Sequence, residues 1–141
     1  MLKKSAVIFM VMCSLVLFFI PAWGLDFKPG MYKITSTVKM PGMPAGSVPP
    51  QTITECLTKQ DPVPNKDASG QTCKIKDMRQ DGNTITWKME CDQQGQKMTS
   101  DGQITYSGDS FEGRTTTNMG PQAGDMTIKT VVTGNRIGDC Q

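Results

Sequence analysis

The sequence predicts an all-β domain: an antiparallel up-and-down meander of about seven strands, forming a curled sheet or small barrel after an N-terminal signal peptide. Three observations carry that expectation. Past residue 25 threonine is abundant and isoleucine outnumbers leucine, a bias toward extended chain. Apolar and polar residues alternate with a period of two in segments separated by Gly, Asn, Asp and Pro. No segment carries a helical period of sufficient length, and no internal repeat or low-complexity tract stands out.

The chain opens Met1-Leu2-Lys3-Lys4, runs through an apolar stretch at residues 6–20 and reaches Pro21-Ala22-Trp23-Gly24. A short cationic start, an apolar region of roughly 15 residues and small residues at Ala22 and Gly24 read as a secretory signal, cleaved before Leu25. The run is shorter than the roughly 20 residues that a bilayer span needs, which argues against a retained anchor. Cys13 lies inside the apolar run rather than after small residues at its end, which argues against lipid attachment. Residues 25–141 are then one domain, periplasmic or secreted. Removing residues 1–24 from a chain of 141 leaves 117, and losing Lys3 and Lys4 brings 15 basic side chains to 13, equal to the 13 acidic ones. A neutral, evenly mixed surface speaks against nucleic acid and against electrostatic docking on anionic lipid.

Within residues 31–40, Tyr32, Ile34 and Val38 alternate with Lys33, Thr35 and Lys39. The stretch KMPGMPAGSVPP that follows must leave the sheet, because Pro41, Pro44, Pro49 and Pro50 cannot donate ladder hydrogen bonds. Residues 51–57 repeat the alternation with Ile53 and Leu57, and residues 58–70 read as a long polar loop with at most a helical turn. CKIKDMRQDGNTITWKMEC, residues 73–91, is a hairpin turning at Asp81-Gly82-Asn83. A three-residue loop there sets Cys73 opposite Cys91, Ile75 opposite Met89, Asp77 opposite Trp87 and Arg79 opposite Ile85. Residues 96–106 and 110–118 form a second pair turning at Gly108-Asp109, with Tyr106 across from Phe111. Residues 125–137 carry Met126, Ile128, Thr130 and Val132 on one face. Arg114 and the run Thr115-Thr116-Thr117 make one strand polar on both faces, as expected of a sheet edge or the wall of a wet cavity.

Cys56, Cys73, Cys91 and Cys140 form an even set in a small exported chain, the composition of a disulfide framework. The hairpin register pairs Cys73 with Cys91 and leaves Cys56 for Cys140. Closing the short and the long ring contributes about 3 and about 4.5 kcal/mol. The core needs that help, since Leu25 and Leu57 are the only leucines after the signal. There is no Cys-x-x-Cys pair and no histidine, which speaks against metal or redox use of these thiols.

Four stretches in order carry a resemblance: KPGMY at 28–32, TITECLT at 52–58, the hairpin at 73–91 with Gly82-Asn83 and Trp87, and TGNRIGDC at 133–140. Together they resemble the bacterial exported family known as domain of unknown function 3617. Met31 and Tyr32 stand where Leu and Trp are usual in that family's Pro-Gly-Leu-Trp start. The resemblance implies a small exported disulfide-bonded domain and carries no catalytic residue across.

Without histidine, triad hydrolysis, imidazole acid–base chemistry and most transition-metal sites are out of reach. Asp61, Asp67, Asp81, Asp101, Asp109 and Asp125 sit beside Gly, Pro or other turn residues and read as turn formers rather than a catalytic carboxylate pair. The chain is therefore expected to be no enzyme and to need no cofactor. The candidate binding residues are Met40, Met43, Asp77, Arg79, Trp87 and Arg114. The predicted register puts Asp77 and Arg79 on the face of Trp87, where they form a buried polar pair or project into water at the hairpin tip. Arg136 is expected to clamp carbonyls or Asp139 beside the last cysteine. The leading functional expectation is a non-enzymatic envelope protein binding a small apolar ligand in the sheet's concavity, or an envelope partner. The alternatives are soft-metal (copper) binding by the thioethers of Met40, Met43 and Met119, and an enzyme of unrecognised type. Met43 is further expected to cover the open end of the sheet or to offer an adaptable contact.

Overall fold

A computed structural model describes residues 24–44, 46–66, 73–93 and 95–141, so the expected signal peptide lies outside the described residues except for Gly24. Seven strands form one antiparallel sheet: β1 (Gly30–Lys39), β2 (Gln51–Leu57), β3 (Lys74–Asp81), β4 (Thr84–Gln93), β5 (Gln96–Ser107), β6 (Ser110–Asn118) and β7 (Thr127–Gly138). The one helical element among the described residues is a 3-10 turn at Pro121–Ala123, and no helix there is long and apolar enough to cross a membrane.

The class is the expected one, with two corrections. The strand order is β2-β1-β7-β6-β5-β4-β3, so the chain is not strictly up-and-down. Strands β3 to β7 run hairpin to hairpin, then β1 pairs with β7 and β2 lies outside β1. Nor does the sheet close into a barrel. β2 and β3 are opposite edges, and residues 58–73 carry the chain between them. Pro62 and Val63 of that crossover are buried against the sheet, in the space that closure would need.

The inner face is built by the period of two. Tyr106, Phe111, Gly134, Ile34 and Ile53 are register neighbours across β5, β6, β7, β1 and β2. Around them Tyr32, Leu57, Val63, Ile85, Trp87 and Ile104 complete a buried cluster. Each fully buried large side chain of this kind contributes about 1.5–3 kcal/mol. The rings of Tyr106 and Phe111 meet edge to face at 5.3 Å, and Phe27 lies 4.6 Å from Tyr106. Three glycines make room. A Cβ on Gly134 would overlap the Phe111 ring, one on Gly113 would overlap Ile104, and one on Gly102 would overlap the Trp87 indole. Covering a strand glycine with a neighbour's bulky side chain is how a sheet coils without leaving a void.

One end of the sheet is braced from several directions. The N–H of Gly108 is shared between the carbonyl (3.1 Å) and carboxylate (3.0 Å) of Asp26, whose own N–H donates to Asn83 Oδ1 (2.9 Å). The leading segment thus ties together the β3–β4 and β5–β6 turns. Arg136 Nε donates to the Pro29 carbonyl (3.0 Å) and its guanidinium pairs with Asp139, the clamp expected from the sequence. Disulfides join Cys56 to Cys140 and Cys73 to Cys91, the pairs expected from the hairpin register.

The hairpin of β3 and β4 differs in detail. Lys74, Ile75 and Lys76 face Glu90, Met89 and Lys88 as expected, but Arg79 faces Thr86 and Asp81 faces Thr84. Asp77 and Met78 together oppose Trp87, a bulge in which Asp77 adopts φ 49°. Aspartate tolerates that left-handed conformation better than most residues. The extra residue shortens the loop to Gly82-Asn83, with Gly82 at φ 56°.

Two outcomes test this account. Replacing Cys56 and Cys140 by Ser should lower unfolding stability by about 4.5 kcal/mol, and replacing Cys73 and Cys91 by about 3, because the first ring spans 84 residues and the second 18. Gly134→Ala should cost about 1–3 kcal/mol in urea unfolding by overpacking Phe111. Gly138→Ala, where an added Cβ meets nothing within 4 Å, should be close to neutral.

Candidate functional site

The outer face of the sheet is polar and open. Arg79, Thr86, Gln103, Arg114, Val131 and Thr37 form one register row across β3, β4, β5, β6, β7 and β1. The row beside it is Lys76, Lys88, Asp101, Thr116, Lys129 and Lys39. These two rows therefore hold six cations and one carboxylate in a chain whose residues after 24 balance at 13 of each sign. Lys88 pairs with Asp101 at 3.6 Å and Lys76 with Glu90 at 2.8 Å, which holds the Glu90 carboxyl below its ordinary range. Arg79 and Arg114 join no ion pair among the described residues. The charge is thus not evenly mixed over the surface, because strand order gathers cations that sequence order scatters.

A groove of about 580 Å³ opens on this face, lined by Asp77, Arg79, Thr86, Lys88, Gln103 and Arg114 among others. Three expected binding residues, Asp77, Arg79 and Arg114, meet there and are exposed. They form no buried polar pair. Trp87 reaches the groove only as part of its floor, since its indole lies on the inner face over Gly102. The bulge separates the two: it moves Arg79 from the inner phase, opposite Ile85, to the outer phase, opposite Thr86. Arg114 and its threonines stand on β6, the middle strand of seven, so they do not mark an edge.

Met40 and Met43 lie elsewhere. With Thr37, Val38, Pro44 and Val48 they wall a smaller pocket of about 210 Å³ under the loop between β1 and β2. Met119 is in the connection from β6 to β7 and does not line that pocket, so the three thioethers expected to share a metal are not gathered in it. Among the described residues no group of three or more His, Cys, Asp or Glu is placed to hold a metal ion.

One residue escaped the sequence reading. Glu55 is 5% exposed, on the inner face of β2 between Ile53 and Leu57 and in register with Tyr32. Its phase in TITECL was the available signal. Glu55 Oε1 accepts the Asn65 N–H (3.3 Å), whose carbonyl in turn accepts the Cys73 N–H (2.9 Å), so this carboxyl latches the crossover. Oε2 is buried without a hydrogen-bond partner among the described residues, as is Trp87 Nε1. Burial raises the Glu55 carboxyl above its ordinary range, against the lowering effect of the Asn65 and Lys66 amides. Its contribution to stability is then complete below the unfolded value near 4.5 and is lost as pH rises through the raised folded value. Urea midpoints measured between acid and neutral pH should fall with rising pH for the parent relative to Glu55→Gln. Parallel curves would show that Glu55 does not titrate differently in the two states.

A family model described as "Protein of unknown function (DUF3617)" matches residues 27–140, which include every strand of the sheet and all four disulfide-bonded cysteines. No curated protein and no solved structure matches the chain. With the match spanning nearly all of the described sheet, the chain belongs to the DUF3617 family.

Proposed function

We propose that this chain is an exported, non-catalytic binding domain of the bacterial envelope, whose outer-face groove receives a ligand with separated anionic groups and hydroxyls between them, the chemistry of an acidic oligosaccharide. One observation carries this reading: Arg79, Thr86, Gln103 and Arg114 stand in a single row on four adjacent strands. Three strand spacings put the two arginines roughly 14 Å apart at the backbone. Each guanidinium offers a planar fork to a carboxylate, while the threonine hydroxyl and glutamine amide between them suit sugar hydroxyls. A volume of about 580 Å³ falls in the size range of small-molecule sites, about 300–1,000 Å³.

Two further points support the choice. The apolar ligand expected in the sheet's concavity would compete there with the chain's own Val63, which is 0% exposed beside Ile85 and Tyr106 in one cluster. A non-catalytic role is favoured because the chain has no histidine, and of the two carboxylates lining the groove Asp101 is paired with Lys88, leaving Asp77 alone rather than a working pair. Two disulfides and the cationic-then-apolar start support an exported location.

Titration with oligogalacturonate, followed by amide chemical shifts, should move Arg79, Thr86, Gln103 and Arg114 together. The double variant Arg79→Ala/Arg114→Ala should lose at least about tenfold in affinity with an unchanged unfolding midpoint. A neutral maltooligosaccharide that binds equally well, or shifts spread over all lysines, would reject the site.

A further inference from the structure

The loop between β1 and β2 and the connection between β6 and β7 leave the sheet side by side. Lys39, the last residue of β1, is the register partner of Lys129 near the start of β7. Both loops are almost free of charge: residues 40–54 and 115–124 contain no Asp, Glu, Lys or Arg. Their tips present apolar groups to solvent. Met43 is 55% exposed and Met126 47%, two of the four exposed large apolar side chains among the described residues. The backbone is shaped to present them: Gly120 and Gly124 have positive φ, and Asp125, directly before Met126, has φ 52°. The Met119 N–H donates to the Met126 carbonyl at 3.0 Å, and Gln96 Nε2 to the Met119 carbonyl at 2.9 Å, which fixes this connection to the sheet.

Immediately behind the exposed methionines stand Lys39 and Lys129, both exposed and in no ion pair among the described residues. Asp125 is the only carboxylate in the two loops, and the next in the lysine row, Asp101, is already paired with Lys88. Loops with a single charge between them, tipped with flexible thioethers and backed by ammonium groups unpaired among the described residues, match the layering of an anionic bilayer surface. Apolar side chains enter the acyl boundary, and lysines reach the headgroup phosphates one layer out. The overall charge balance of the chain does not oppose this, because two lysines without an ion pair among the described residues stand here against the single carboxylate of Asp125.

We infer that this end of the sheet docks on anionic phospholipid membrane, with Met43 and Met126 in the interface and Lys39 and Lys129 against the headgroups. The surface is distinct from the groove, so neither depends on the other. Protein purified in the form the cell accumulates should sediment with phosphatidylglycerol-containing vesicles and much less with pure phosphatidylcholine. Lys39→Gln/Lys129→Gln should weaken partitioning roughly 25-fold, about fivefold for each lysine. Met43→Asp/Met126→Asp should abolish it, and a Met43→Trp reporter should shift its emission to the blue on anionic vesicles. Failure of the parent to bind, or binding that survives both double variants, overturns the inference. So does a concentration-dependent dimer that the Asp variant dissolves, which would assign the surface to a second copy of the chain.

Discussion

The crossover between β2 and β3 is the constraint on which the rest of the molecule depends. The two strands it joins are the opposite edges of a seven-stranded sheet. A flat sheet of that width would separate them by roughly 29 Å, six strand spacings. Sixteen residues, 58–73, make that connection, and in its described part Pro62 and Val63 are buried over the inner face. Coiling brings the edges nearer, and the glycines beneath Phe111, Ile104 and Trp87 permit the coiling. The segment is then held at several points: Pro62 accepts from the buried Tyr106 hydroxyl, Asn65 binds Glu55 and Cys73, and the Cys73–Cys91 bond fastens its far end. A core with few large aliphatic residues is completed by a loop, which supplies Pro62 and Val63.

This has a consequence for where binding chemistry sits. Along most of its length an antiparallel sheet has one face toward the core and one toward water. Here the inner face is committed to packing at the end carrying Tyr32, Tyr106 and Phe111. Toward the other end the same face turns half-buried and polar through Ser100, Thr115, Thr117 and Thr130. The outer face remains open, and strand order decides what it displays. Lys39, Lys129, Lys88 and Lys76 are distant in the chain yet fall in one row. No composition count reveals such a row, because it depends on β1 joining β7 across almost the whole length of the chain.

That contrast explains what the sequence made legible. The hairpins were readable because each combines a turn signal with flanking alternation; Tyr106 does face Phe111, and Lys74 does face Glu90. The bulge at Asp77 was not, since one extra residue preserves the alternation on either side and only changes its phase. It misplaced Arg79 relative to Trp87 and hid the row that Arg79 shares with Arg114 along the outer groove. Arg114 and the three threonines read as a sheet edge or the wall of a wet cavity because central strands usually bury at least one face; β6 is central, and Arg114 and Thr116 line the outer groove. Glu55 was visible in phase with Ile53 and Leu57, but its partner, Asn65, lies in a loop whose path no local pattern specifies.

The distribution of bracing along the strands gives the binding surfaces their character. At one end Asp26 ties two turns, Arg136 clamps Pro29 to Asp139, and Cys56 is bonded to Cys140. At the other end the proline-rich loop after Met40 contributes no described residue to the buried cluster, and Met43 and Met126 stand in solvent. Changes at exposed positions away from caps, cores and disulfides usually alter stability by no more than about 0.5 kcal/mol. Arg79, Arg114, Lys39, Lys129, Met43 and Met126 all occupy such positions, whereas Glu55, Trp87 and Gly134 do not. Charge and thioether chemistry on this domain can therefore change without disturbing the fold, and a loss of binding in those variants reports on the surface itself.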